Sequence, residues 1–325
     1  MGSLGPRGCG ARGASVVVGL GEILWDVFDD GERFGGAPAN FACHAAAFGA
    51  EACMVGAVGA DDRGQRALKA LQDHGVSTEA VVVVPEVPTG NVRIRVGALG
   101  TPEFEIPEDV AWDRVPWTQT MERLARRTDA VCFGTFVQRS ATTRRTLRRF
   151  LQTTSTTCLR VFDVNLRQDE VDVDVIGWAL ERSSVLKLNE VELAVVAGIA
   201  GVKRGEIESG MAHLLRRYPL QCVLVTLGDR GAIVMDRART VSVRSEPTEV
   251  VDAVGAGDAF TATITMGLLM GREASDLAAH ACRVAAFVCG HAGAVPDLPS
   301  SLYELPTMRS EVVGPQGAGP AREEK

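Results

Sequence analysis

Short apolar runs rich in β-branched residues alternate along this chain with longer stretches whose apolar positions recur at helical spacing. The runs at 15–20, 52–58, 130–133, 159–164, 185–188 and 222–226 predict strands. The stretches at 40–48, 63–74, 141–153, 173–182, 191–197 and 206–218 predict helices. Such alternation predicts an α/β fold, a mostly parallel sheet covered by helices on both faces. Ligands of such a sheet bind at the carboxyl ends of its strands. One segment breaks the pattern. Residues 90–106 alternate apolar and polar, with Val92, Ile94 and Val96, then Phe104 and Ile106, around a turn at 97–102. A period of two predicts a hairpin covered on one face only, too amphipathic for the central sheet and suited to a flap.

Composition narrows the class. With 325 residues, 46% hydrophobic and 23% charged, the chain has room for a large core. No repeat or linker divides residues 15–306, which read as one domain with lid strands near 27–36 and 88–107. Residues 1–14 and 307–325, rich in Gly, Pro and charge, read as flexible tails. A net charge of −7, from 34 basic and 41 acidic residues, leaves no nucleic-acid footprint, so any phosphate must be bound locally. No apolar stretch has membrane-spanning length, and Glu22 spoils a signal peptide, so a cytoplasmic protein without a membrane partner is expected. The eight cysteines form no Cys-x-x-Cys and read as reduced core thiols, and the five histidines share no metal spacing.

The chemistry concentrates at Asp252-Ala253-Val254-Gly255-Ala256-Gly257-Asp258, where an acid follows a glycine-rich turn and precedes the apolar stretch 261–270. A helix beginning near Asp258 points its free N–H groups and the positive end of its dipole at the turn. Gly255 and Gly257 let the backbone approach a phosphate. Asp258 then stands where it can take a proton from a hydroxyl attacking a phosphoryl group, although an Asp here is also an ordinary helix cap. Three further clusters bear on this. Gly35-Gly36-Ala37-Pro38-Ala39-Asn40 opens a helix and offers donors to a polyhydroxyl ligand. Asn189 and Glu192 lie one turn apart after a strand, where they can order water around Mg²⁺ on phosphates. Thr226-Leu227-Gly228-Asp229-Arg230-Gly231 ends another strand with a hydroxyl and glycines suited to a nucleotide. Each alone is a common turn or helix start. Gly19-Leu20-Gly21 is no dinucleotide fingerprint, since Leu24 replaces its third glycine and Glu22 would face the phosphates.

In this order the clusters resemble the ribokinase-like carbohydrate kinases, the PfkB family, over roughly residues 16–299. The paired signature is Gly35-Gly36-x-Pro38-x-Asn40 with Asp252-x-Val254-Gly255-Ala256-Gly257-Asp258. The segments Gly21-Glu22-Ile23-Leu24-Trp25-Asp26, Ala111-Trp112-Asp113, Phe133-Gly134-Thr135-Phe136-Val137-Gln138-Arg139 and Phe162-Asp163-Val164-Asn165-Leu166-Arg167 read like those of bacterial-type fructokinases. The resemblance implies a three-layer αβα sandwich with a small β-hairpin lid, and transfer of the ATP γ-phosphate to a sugar hydroxyl. It implies Asp258 as base and Gly255, Ala256 and Gly257 as anion hole. Asp26, Gly36, Asn40 and Arg167 would hold the sugar; Asn189, Thr226, Gly228 and Gly231 would meet the nucleotide; Glu192 would serve Mg²⁺ through water. It also implies a monovalent cation such as K⁺ on backbone carbonyls of Asp252 and Val254 with residues 291–297, and a homodimer paired through the lids. Two departures stand out: Ala253 where Thr is common, and Cys282 where Asn is frequent near adenine. D-fructose is the favoured acceptor. The same scaffold serves 2-keto-3-deoxygluconate, ribose and nucleosides, and a catalytically silent sugar- or nucleotide-binding sensor is the non-enzyme alternative. The intact Asp258, Gly255 and Gly257 point to an enzyme.

Overall fold

Val17 of the first strand faces one layer of the molecule and its neighbours Val16 and Val18 face the other, so a run that reads as uniformly apolar still divides its side chains between two cores. The computed structural model describes residues 13–96, 102–166, 171–202 and 205–305. Its strands are β1 Val16–Leu20, β2 Leu24–Phe28, β3 Gly31–Gly35, β4 Glu51–Gly59, β5 Val81–Val84, β6 Gly90–Val96, β7 Pro102–Glu105, β8 Ala130–Phe133, β9 Leu159–Asp163, β10 Val185–Asn189, β11 Cys222–Thr226, β12 Ala232–Asp236 and β13 Thr240–Val243. Its helices are α1 Ala37–Ala47, α2 Asp62–Asp73, α3 Gln119–Arg127, α4 Ala141–Thr153, α5 Val173–Leu180, α6 Glu190–Ile199, α7 Ile207–Arg217, α8 Ala256–Leu269, α9 Ala274–Cys289 and α10 Ser300–Tyr303.

The central sheet runs β13-β12-β11-β10-β9-β8-β1-β4-β5, parallel from β5 to β11, with β12 and β13 antiparallel at one edge. Leu147 and Phe150 of α4, Leu193 of α6 and Met211 of α7 belong to the core on one face. Phe41 of α1, Phe260 and Ile264 of α8 and Leu277 of α9 close the other. This is the three-layer α/β sandwich expected of the resemblance. Helix α8 lies between α1 and α9 with Ala259 through Gly267 all buried, and its threonines show how a helix tolerates that. Thr261, Thr263 and Thr265 each donate to the carbonyl four residues back, at 2.8, 2.8 and 2.7 Å, so no hydroxyl is buried unsatisfied.

The flap is larger than the hairpin predicted at 90–106. Strands β6 and β7 form half of a four-stranded sheet, β3-β2-β6-β7, in which β2 pairs parallel with β6 and the other two pairs are antiparallel. The β2–β3 hairpin joins because Leu24 and Trp25 are buried, Trp25 stacks edge-on against Phe34 at 5.9 Å, and its Nε1 donates to the Arg63 carbonyl of α2 at 3.0 Å. The flap turn at 97–101, Arg167 and the tails at 1–12 and 307–325 lie outside the described residues. No helix among the described residues is long and apolar enough to cross a membrane. Of the seven cysteines described, none is bonded to another and six are buried, as expected of reduced core thiols.

Candidate active site

Helix α8 begins where Gly255 takes a left-handed backbone, φ 81° and ψ −13°. A side chain there would also collide with Ala294, whose carbonyl oxygen lies 2.3 Å from the place of a Cβ. The loop before it is tied down at several points. The Cys289 carbonyl accepts the Val251 and Asp252 amides at 2.8 and 3.1 Å. The Asp252 carboxylate accepts Val254 N–H at 3.0 Å and Gly293 N–H at 3.2 Å. His44 of α1 donates from Nε2 to the Ala294 carbonyl at 3.0 Å. Burial pushes the His44 pKa down to about 4, so the ring is neutral. The outcome is a rigid glycine turn whose first helical amides have no partner within their own helix.

Asp258 sits in the first turn of α8, and the packing of α1 on α8 brings Asn40 to it: Asn40 Nδ2 donates to Asp258 Oδ2 at 2.9 Å. Asn40 itself sits in the first turn of α1, its N–H on the Gly36 carbonyl at 2.9 Å. Gly36 is the cap, at φ 110°, and a Cβ on it would lie 2.5 Å from the Glu22 carbonyl. From the small sheet, Asp26 reaches the same turn, with Oδ2 2.6 Å from where a Cβ of Gly35 would be. Of the acceptor residues of the sequence reading, Asn40 meets the proposed base directly, while Gly36 caps the same helix and Asp26 lies against Gly35 just before it. The Asn40 Oδ1 is buried with no hydrogen-bond partner among the described residues, and an amide oxygen can accept a hydroxyl.

On the nucleotide side, Thr226, Gly228, Gly231, Ala256 and Gly257 share a cavity of about 580 Å³ between the end of β11, residues 245–250 and α9. Phe260 and Cys282 are among its apolar walls, and both departures from the family pattern, Ala253 and Cys282, lie on it. Its size and its glycine-lined mouth at the start of α8 fit an adenine nucleotide.

Asn189 and Glu192 stand apart from that cavity. They form a reciprocal cap on α6: Asn189 Oδ1 accepts Glu192 N–H at 2.9 Å and Glu192 Oε2 accepts Asn189 N–H at 2.7 Å. Glu192 Oε1 accepts Leu166 N–H at 2.8 Å, holding a loop in which Asn165 has a left-handed φ of 43°. Burial raises the Glu192 pKa, with the nearby Lys187 working against it. Both carboxylate oxygens therefore already serve backbone amides, which the sequence reading did not foresee. Among the described residues no group of three or more His, Cys, Asp and Glu is arranged to hold a metal ion.

Two residues escaped the sequence reading. Lys187 of β10 pairs in register with Asp163 of β9, its Nζ 3.0 Å from Asp163 Oδ1, and the Thr261 hydroxyl lies 3.3 Å from Asp163 Oδ2. Burial alone would lower the Lys187 pKa, but the carboxylates of Asp163, Glu192 and Asp258 outweigh it and hold the ammonium charged. The signal was present: a lysine inside Val185-Leu186-Lys187-Leu188, an otherwise apolar strand.

A carboxylate in the first turn of a helix, hydrogen-bonded by an amide from a second helix and next to a nucleotide-sized cavity, suits a kinase that phosphorylates a small alcohol. Residues 18–301 match the pfkB family of carbohydrate kinases, and the chain belongs to that family of phosphotransferases with a hydroxyl acceptor. It is 28% identical to fructokinase-1 of Oryza sativa subsp. japonica over 329 residues, covering 91% of this chain and 98% of that one. It is 29% identical to a fructokinase of Klebsiella pneumoniae over 294 residues, covering 83% and 90%. The solved fructokinase with bound ATP from Xylella fastidiosa superposes with a TM-score of 0.76 at 19% identity, over 86% of this chain and 93% of that one, and shares the fold.

Proposed function

We propose that the chain is an ATP-dependent sugar kinase whose preferred acceptor is D-fructose. The observation that carries the reading is the Asn40–Asp258 hydrogen bond at the start of α8, with Asn40 Oδ1 unspent beside it. Asp26, Gly36, Asn40 and Arg167 hold the sugar so that one hydroxyl meets Asp258. Asp258 takes that hydroxyl's proton while its oxygen bonds to the γ-phosphorus; the bond from that phosphorus to the bridging oxygen breaks and ADP leaves with the electron pair. Gly255, Ala256 and Gly257 direct their amides at the phosphoryl oxygens, and Thr226, Gly228 and Gly231 seat the nucleotide with Asn189 at its phosphate end. Glu192 would reach Mg²⁺ through water, and the ion when bound with ATP would supply charge neutralisation and orientation. Asp252 spends its carboxylate on two amides, which leaves its carbonyl and that of Val254 for a monovalent cation such as K⁺.

The small sheet acts as a lid over the sugar, excluding water, and pairs with a second copy to make a homodimer in the cytoplasm. A neutral polyol suits Asp26 and Asn40, whereas a sugar acid brings its own negative charge to them. A nucleoside needs aromatic faces, and only 5% of the chain is aromatic. The test is ADP release, followed by a coupled assay, with D-fructose, ribose, adenosine and 2-keto-3-deoxygluconate. Highest kcat/KM with fructose is expected. Turnover with another of the four would change the acceptor, and ATP binding with no turnover on any would return the silent-sensor alternative.

A further inference from the structure

Lys187 is a buried charge for which phosphoryl transfer by Asp258 and the glycine turn has no stated need. It lies between Leu186 and Leu188, which face the opposite core, and it is only 8% exposed. Among the described residues Asp163 is its one hydrogen-bond partner, so an ammonium with three protons to donate spends one. Its Nζ lies directly under the anion turn, 3.0 Å from where a Cβ of Gly257 would be. The charges of Glu192 and Asp258 also act on it, and with Asp163 they hold it as an ammonium. A buried ion pair is an expensive way to hold two strands together, since well-packed apolar residues do as well or better. What an apolar pair cannot supply is positive charge below a turn that must carry phosphate.

We propose that Lys187, anchored by Asp163, is a positioning residue for phosphoryl transfer, a fixed cation beneath Gly257 that acts through the start of α8 and Asp258. Its charge offsets the negative charge that builds on the turn as the phosphoryl group moves, and keeps the three carboxylates from opposing it. This inference rests on the kinase reading above.

Three variants test it: Lys187→Met, Lys187→Arg, and the pair Asp163→Asn with Lys187→Met, which removes both charges and leaves no lone buried ion if the single Met variant fails to fold. For each, kcat, KM for ATP and melting temperature are measured with the best acceptor. Affinity for ADP is measured alone and with aluminium fluoride plus that acceptor, a mimic of the phosphoryl group in flight. Both Met variants should lose about 10²-fold in kcat with KM for ATP within about threefold, as removal of a transition-state interaction requires, while Arg recovers most of the loss. Aluminium fluoride should tighten ADP binding at least about tenfold less in the Met variants than in the wild type, with ADP alone unchanged. A folded pair variant with wild-type kcat overturns the inference, as does a kcat loss matched by an equal loss of affinity for ADP alone. A wild type that phosphorylates no acceptor fails the kinase reading itself and removes the inference with it. An active wild type beside an equally active pair variant sinks the inference alone.

Discussion

Asn40 and Asp258, 218 positions apart in sequence, meet through a 2.9 Å hydrogen bond from Nδ2 to Oδ2. The bond fixes the orientation of the carboxylate with a neutral donor, and the other end of the Asn40 amide, its Oδ1, is buried and unpaired among the described residues. One side chain thus orients the proposed base and keeps a second, acceptor atom uncommitted beside it. Asp258→Asn should keep the fold, because an amide oxygen can still receive the Asn40 proton. It should keep ATP affinity too, and reduce kcat by at least about 10²-fold, the usual contribution of a positioned base. Steady-state kinetics with a matching circular dichroism spectrum check this. Near-normal turnover in the folded variant removes Asp258 as base.

Glu192→Gln should have two effects, because the native carboxylate accepts both the Leu166 and the Asn189 amide. A glutamine has a single acceptor oxygen and must turn its NH₂ toward one of these N–H groups. Leaving that amide unpaired costs about 1–3 kcal/mol, visible as a lower melting temperature. If Glu192 also serves Mg²⁺ through water, the Mg²⁺ concentration giving half-maximal rate should rise more than KM for the sugar. A Mg²⁺ titration at saturating sugar separates the two. A lower melting point with an unchanged Mg²⁺ curve leaves Glu192 as the cap of α6 alone.

The central strands were legible because they are buried on both faces. The run read at 185–188 is β10, Val185–Asn189, and that at 130–133 is β8 to the residue. Edge strands were not. The four valines of Val81–Val84 are an apolar run that was passed over, although only Val84 of them is buried, and Thr240–Val243 alternates exposed and partly buried positions and so makes no apolar run. Helix α3 hides its nature similarly, with only Met121, Leu124 and Ala125 buried among charged neighbours. At the site, each cluster declared its local chemistry: glycines before an acid, an amide in a first helical turn. What spacing could not declare was contact, since the Asn40–Asp258 bond depends on how α1 packs on α8. Lys187 was overlooked for the converse reason. Its neighbours made the strand obvious, and the one residue that did not fit the strand was the informative one.

His44 makes stability depend on pH. Its ring is buried and donates to the Ala294 carbonyl beside the Gly255 turn, and burial pushes its pKa down to about 4 from an ordinary 6.5. Between those values the unfolded chain binds a proton that the folded chain refuses, so stability rises with pH through this window. The contribution is complete above about pH 6.5 and lost as pH falls through about 4, at most about 3 kcal/mol for a shift of that size. Urea denaturation of the wild type and of His44→Gln at pH 7, 5.5 and 4.5 checks it. The wild type should lose more stability on acidification than the variant, and parallel pH dependences would show that the ring titrates normally.

Asp26 is the residue on which the proposed acceptor turns. Its carboxylate lies against Gly35 at the turn that leads into Asn40, placed there by the β2–β3 hairpin of the small sheet rather than by the central one. An acceptor-only group on a separate small sheet can bind sugar hydroxyls as the sheet closes, which couples recognition to exclusion of water. Asp26→Ala should therefore lose most of kcat/KM for D-fructose, because a hydroxyl contact left unmade in a closed site costs about 1–3 kcal/mol and a charged partner more, or about 10- to 100-fold and upward. It should lose less with any acceptor that does not engage this carboxylate. The check is kcat/KM for fructose, ribose, adenosine and 2-keto-3-deoxygluconate at saturating ATP, wild type and variant side by side. A variant that handles fructose normally takes Asp26 out of the sugar site. A wild type that prefers adenosine overturns fructose while leaving Asp258 and the glycine turn as the machinery of transfer.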